Sequence, residues 1–236
     1  MHSASLKDTI FNKPAYTADE AARILGLPAS TLKAWCFGQA GHNRSGAQTS
    51  FRPVIKPADN KTRLLSFANL CELHVLSAIR RQHKIALPKV RSSVDFLRKK
   101  LKAVRPLIDS EFSTNGVDLF VEHASTLLNV SQQGQQAMRG DFQSALARIE
   151  RDAKGTPIRL FPFSRTSAKS GDQPKSVVVN PRLSFGRPVI SSVAIPTRII
   201  VDCFDAGDSM SEMAEDYGID AAEIEEAIRF ERLRAA

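Results

Sequence analysis

Apolar residues recur at helical spacing on both sides of Gly26, in the stretch YTADEAARILGLPASTLKAW (residues 16–35). Ala21, Ala22 and Leu25 give the first run a small-residue face, and Leu32 and Trp35 point the second inward. Thr17 and Glu20 have capping-box spacing, and Gly26 supplies the helix stop. The second helix is predicted from Pro28 or Ala29 to Phe37. Further along, Phe67, Leu70, Leu73, Leu76 and Ile79 form the stripe of a helix from Phe67 to His83, capped by Ser66. Pro88 suits the first turn of the next helix. There Val90, Val94, Leu97, Leu101 and Val104 step four-three-four-three, a seam for packing on another helix. A helix is predicted from Gln135 to about Ala153 with Phe142, Leu146 and Ile149 inside. Three more close the chain, at about 197–206, 209–216 and 220–234.

Strand signals are short. FRPVIKP, the polar turn ADNK and TRLL read as a small hairpin. Asn115-Gly116 reads as a hairpin turn inside EFSTNGVDLFVE. GTPIRLFPF (155–163) reads as a strand that its prolines keep from the centre of a sheet. VVV (177–179) and RPVIS (187–191) add two short strands, and SRTSAKSGDQPKS (164–176) is a linker by composition. The fold expected is mainly α (α+β). It has a winged helix-turn-helix head over residues 1–105, a mixed α+β middle over 106–165, and a linker at 166–176. A small three-helix domain with a β-ribbon follows over 177–236.

Charge divides the chain in the same places. Residues 1–105 carry 19 Lys and Arg against 6 Asp and Glu; residues 176–236 carry 6 against 11. A basic front and an acidic tail imply different partners for the two ends. No stretch approaches the roughly 20 apolar residues of a membrane helix, and the N-terminus lacks the apolar core of a secretion signal. The three scattered cysteines, Cys36, Cys71 and Cys203, suit reduced thiols in the cytoplasm.

A short helix, a glycine turn and a second helix that opens with small polar and basic residues is a helix-turn-helix, whose second helix suits the major groove. The surplus of positive charge around it supplies the phosphate neutralisation that dominates DNA affinity. The tail carries a second such pattern, SMSEMAEDYGIDAAEIEEAIRF. Its last helix opens with Asp220, Glu223, Glu225 and Glu226, which phosphates would repel, so a protein-facing role is expected there. Cys71 and His74 stand three apart on one helix with no further ligand near them in sequence, and read as core rather than metal ligands. No phosphate-binding glycine loop appears and no nucleophile has a base signalled nearby. Neither an enzyme, a metal nor a cofactor is expected.

Residues 16–94 resemble the DNA-binding domain of MerR-type regulators. YTADEAARILGLPASTLKAW, TRLLSFANLCEL and LSAIRRQHKIALPKV carry the resemblance. It implies that the second helix and the wing bind DNA, with Thr31 and Leu32 at the family's Thr-Leu pair, Lys33 at the basic residue after it and Arg63 at the wing arginine. The chain departs from the pattern at Pro28, where a serine cap is usual, at Leu65, where an aromatic is usual, and in the length of residues 38–57. The DNA contacts expected are Thr17, Ser30, Thr31, Lys33, Arg44, Arg52, Lys56, Lys61 and Arg63.

Residues 180–231 resemble a small domain found in antitoxins of PIN-ribonuclease toxin–antitoxin pairs, through NPRLSFGRPVI, IPTRIIVDCFDAGDSMSEMAEDYGI and AEIEEAIRFE. The combined layout is similar to a VapB-like subgroup. The resemblance implies a cytoplasmic, nucleoid-associated antitoxin that binds its own operator and blocks a PIN-domain ribonuclease, as a homodimer or a larger complex with the toxin. The toxin-facing residues expected are Arg198, Asp202, Glu223, Arg229, Arg232 and Arg234. The alternative is a stand-alone MerR-like transcriptional regulator that senses a small ligand through its middle region.

Overall fold

The computed structural model describes residues 10–42, 48–83, 85–109, 115–128, 130–165 and 173–232. Arg44 and Arg234, both expected at interfaces, lie outside these residues, as does the centre of the expected linker.

The head is built from local signals. Helix α1 (Ala18–Leu25) begins at Thr17, whose hydroxyl accepts from the Glu20 amide while the Glu20 carboxylate returns to the Thr17 amide. It ends at Gly26, in the left-handed conformation at φ 60°. Helix α2 (Ala29–Phe37) follows, with Leu32 and Trp35 fully buried. Strands β1 (Gln39–His42) and β2 (Gln48–Phe51) then pair antiparallel. The hairpin expected over FRPVIKP and TRLL does not form as a ladder. Pro53 and Pro57 have no amide to donate, and the amides of Val54 and Ile55 go instead to the Trp35 carbonyl. Only Asp59 and Leu64 exchange backbone bonds, around a turn at residues 60–63.

Helix α3 (Phe67–His83) follows, with Phe67, Leu70, Leu73 and Leu76 buried. Ser66 and Asn69 cap its start reciprocally. Helix α4 (Leu87–Lys100) buries Val90, Val94 and Leu97. The four-three seam does not continue: the helix stops before Leu101, and Val104 is 80 % exposed. Pro106, expected at a domain edge, is buried with Leu107 and Ile108.

Two further elements differ from expectation. Asn115-Gly116 opens helix α5 (Val117–Leu128) rather than a hairpin. Val117, Phe120, Val121 and Ala124, all buried, fall at helical spacing and override the turn signal. Helix α6 (Gln132–Leu146) ends before Ile149, which starts strand β3 (Ile149–Arg151) and pairs antiparallel with β4 (Pro157–Leu160). One hydrophobic core runs from Phe11 through α1–α6 to Val179, so head and middle share their interior.

The tail carries strands β5 (Val177–Val178) and β6 (Val189–Ile190), antiparallel, and helices α7 (Thr197–Ala206), α8 (Met210–Tyr217) and α9 (Ala221–Arg232). Ile190, Ile200, Val201, Met213, Ile224, Ala227 and Ile228 make its own core. Val179 and Leu160 exchange backbone bonds and join the tail to β4. Among the described residues no helix is long and apolar enough to cross a membrane.

Candidate nucleic-acid interface

Helix α2 starts without a side-chain cap, because Pro28 has no hydroxyl or carboxylate to offer. Its first-turn amides are therefore open to water or to an anion. Ser30 and Lys33 are exposed and Thr31 is half-buried on that turn, while Leu32, Trp35 and Cys36 anchor the opposite face. Burial pushes the Cys36 thiol up to about 12, which makes it an inert core residue. Lys33 is engaged: its ammonium lies 2.9 Å from the Asp19 carboxylate of α1, on the surface. The Thr17 hydroxyl is also engaged, in the α1 capping box.

The loop after the strands brings a second group of cations beside α2. Arg63 adopts a left-handed backbone at φ 57° and lays its guanidinium over the Phe37 ring, 4.4 Å from the centroid. Phe37 is the last residue of α2, so Arg63 stands at that helix's C-terminal end. The turn holding Lys61 and Arg63 is organised by Asp59. The Asp59 carboxylate accepts from the Thr62 hydroxyl and from the Lys61 and Thr62 amides, and these bonds hold it below the usual carboxylate range. The Lys56 side chain is exposed, and its carbonyl accepts from the Asn69 amide, which ties this loop to α3.

Arg52 lies apart from that group. With Arg91, Asp95, Phe96, Lys99 and His123 it lines an open cleft of about 480 Å³ between α4 and α5. The rings of Phe96 and His123 stack there at 4.4 Å, and His123 meets the Ser93 hydroxyl at 3.1 Å. Burial, then the Arg52 charge, lowers the Arg91 pKa.

In the tail, Arg198 pairs with Asp202 at 2.9 Å along α7. Glu223 accepts from the Ser192 hydroxyl, Arg229 pairs with Glu225, and Arg232 reaches Asp205 at 2.9 Å across to α7. The expected toxin-facing residues other than Arg234, which lies outside the described residues, thus fall on two helices in contact with each other. The pair Cys71 and His74 lies inside the core, His74 stacked on Phe163 at 4.7 Å.

The sequence gives no hint of Arg148. This guanidinium is buried and donates to the carbonyls of Phe161, Pro162, Gln173 and Pro174, tying together both ends of the expected linker. Burial lowers its pKa to about 10. Nearby, Arg165 and Ser164 hold the Glu226 carboxylate of α9, the former at 2.9 Å.

Residues 14–94 match the family described as "Putative DNA-binding HTH domain", and residues 177–230 match the family described as "Protein of unknown function (DUF433)". The chain is 26 % identical over 237 residues to "Putative antitoxin VapB45" of Mycobacterium tuberculosis, covering 92 % of this chain and 94 % of that protein. It is 21 % identical over 234 residues to "Uncharacterized protein Rv2308" of the same bacterium, covering 94 % and 92 %. The X-ray crystal structure of Rv2018 from M. tuberculosis shares the fold, with a TM-score of 0.66 at 22 % identity over 93 % of this chain and all of that one.

Proposed function

We propose that the chain is a DNA-binding antitoxin. Its head, residues 1–105, binds the operator of its own promoter with α2 and the Arg63 turn, in the manner of MerR-type regulators. Its tail, residues 177–236, holds and blocks a PIN-domain ribonuclease. The middle, residues 106–165, supports a homodimer that sets two heads on two half-sites. The observation that carries this reading is the union, in one chain, of a basic head that matches a helix-turn-helix family and an acidic tail, in a sequence similar over nearly its whole length to a protein named "Putative antitoxin VapB45". The chain is a regulator rather than an enzyme.

The test uses the full-length protein with charge variants on each surface. The double variant Lys33→Ala/Arg63→Ala is expected to lose affinity for a duplex taken from upstream of its own reading frame and to keep its partner nuclease in a pull-down. Arg198→Ala/Asp202→Ala and Arg229→Ala/Arg232→Ala are expected to do the reverse. A full-length chain that captures no nuclease, yet binds the duplex, favours the stand-alone regulator. The observation behind that second reading is the cleft between α4 and α5, lined by Arg52, Arg91, Asp95 and Lys99 and reached from the middle region by His123.

A further inference from the structure

The tail is acidic, yet the edge it lays on the basic head is not. Three of its arginines are paired: Arg198 with Asp202, Arg229 with Glu225, and Arg232 with Asp205. Arg182 and Arg187 have no carboxylate partner among the described residues. They flank a turn in which Ser184, Phe185 and Gly186 are all left-handed, at φ 45°, 57° and 78°. Two successive non-glycine residues in that region cost backbone energy, and such strain persists where the surroundings impose it. Phe185, within this turn, is 95 % exposed.

The turn is fixed in place rather than hanging free. The Tyr16 hydroxyl donates to the Gly186 carbonyl at 3.1 Å, and Arg182 lies over the Phe11 ring at 5.4 Å. Tyr16 immediately precedes Thr17, the N-cap of α1. In a helix-turn-helix the first helix crosses the DNA backbone. The turn is therefore continuous with the candidate interface. Docking for stability alone would place the tail's carboxylates against a head with 19 cations and 6 anions. The tail instead brings two arginines without a carboxylate partner among the described residues to that edge, at the start of α1, where a phosphate backbone would offset their charge.

We propose that the turn at residues 182–187 is a second duplex-DNA contact, in which Arg182 and Arg187 take backbone phosphates and the Phe185 ring packs into the groove beside them. This rests on the reading that the head binds duplex DNA, and it makes the tail a participant in DNA binding as well as in partner capture.

The experiment compares full-length wild type, Arg187→Gln, Arg182→Gln/Arg187→Gln, Phe185→Ala and Lys33→Ala/Arg63→Ala. Each is titrated by fluorescence anisotropy over a range of salt. The probes are the duplex upstream of its own reading frame and an unrelated duplex of equal length. The slope of log affinity against log salt is expected to flatten by about 0.9 for Arg187→Gln and about 1.8 for the double variant, one phosphate each. Phe185→Ala is expected to weaken binding by about tenfold with the slope unchanged, since an apolar contact releases no counterions. Because Arg182 also packs on Phe11, thermal midpoints are measured alongside, and Arg187→Gln and Phe185→Ala decide the matter alone if the double variant is less stable. Wild-type affinity and slope in those two, with loss in Lys33→Ala/Arg63→Ala, overturn the turn's role and leave the head's intact. A wild-type chain that binds neither duplex overturns both.

Discussion

The Tyr16 hydroxyl and the Gly186 carbonyl meet at 3.1 Å across 170 residues of sequence, and this bond ties the tail to the head just before its first helix. A methyl group at position 186 would stand 2.2 Å from that hydroxyl oxygen, and the residue is left-handed besides. Tyr16→Phe is expected to cost about 0.5–1.5 kcal/mol, the net worth of one hydrogen bond. Gly186→Ala is expected to cost more, since it adds about 1–2 kcal/mol of backbone strain to the overlap. In a Tyr16→Phe background the Ala substitution should cost less than alone, because the closest atom has gone. Denaturant unfolding of the four proteins in the double-mutant cycle measures this coupling; strictly additive costs would show that the two residues do not share the strain.

Glu72 shows why the interior of the head depends on a partner beyond its own helix. Its carboxylate is buried and accepts from Arg105 and from the Asn69 amide at 3.1 Å. Burial raises its pKa, Arg105 lowers it, and the balance lies above the ordinary 4.5. A raised carboxyl favours the folded state below its unfolded pKa, and that advantage fades as pH climbs through the folded value. Arg105→Met removes the compensating charge and is expected to cost about 3–5 kcal/mol at neutral pH. The cost should shrink towards about pH 4.5 as Glu72 takes up a proton. Adding Glu72→Gln should restore most of the loss. Unfolding curves across this range check the prediction, and a pH-independent cost would refute it.

What the sequence makes legible is local. The Thr17–Glu20 capping box and the stop at Gly26 need only neighbours a few residues apart, and they stand where their spacing predicts; the structure repeats both devices in the tail, at Ser209–Glu212 and at Gly207 and Gly218. Asn115-Gly116 is a strong turn signal that loses to the apolar stripe of Val117, Phe120, Val121 and Ala124, because the burial of four side chains outweighs a turn preference. Ile149 fits a helical period with Phe142 and Leu146, but it is buried as a strand opposite Leu160. Arg148 carries no signal at all. Its four carbonyl acceptors lie 13 to 26 residues away, and a lone arginine in sequence reads as surface. For the candidate interface, the α2 start and the Arg63 turn were legible as polar and basic positions. The turn carrying Arg182 and Arg187 was not, since tertiary contacts at Tyr16 and Phe11 bring it beside the start of α1.

Glu226 ties α9 to the middle region and reverses the pH logic of Glu72. Burial acts to raise its carboxyl, but the bonds from Arg165 and Ser164 outweigh this and hold it below the usual carboxylate range. A depressed carboxyl contributes stability above its unfolded pKa of 4.5 and loses it as pH falls through the folded value. Acidification below about pH 4.5 is thus expected to loosen the tail first. Hydrogen exchange at the Leu160 and Val179 amides, which bridge the two parts, should accelerate there before the amides of α3 do. Glu226→Gln should show the faster exchange already at neutral pH. Simultaneous loss of protection throughout the chain would contradict a separable anchor.

The last prediction concerns Asp19, which holds Lys33 at 2.9 Å on the face proposed to meet DNA. Both side chains are about half exposed or more, so the pair adds little to stability, of the order of 0–1 kcal/mol. Its effect on a polyanion is larger, because the Asp19 charge repels phosphates and competes for the ammonium. Asp19→Asn should leave the thermal midpoint nearly unchanged while tightening binding to any duplex, most clearly at low salt where screening is weak. Lys33→Ala should weaken binding and flatten the salt slope by about 0.9, one phosphate contact. Asp19→Asn/Lys33→Ala should then resemble Lys33→Ala more than wild type, since the freed ammonium is what binds. If Asp19→Asn instead weakened binding, the carboxylate would be positioning Lys33 for its phosphate rather than withholding it, and the pair would be part of the interface as it stands.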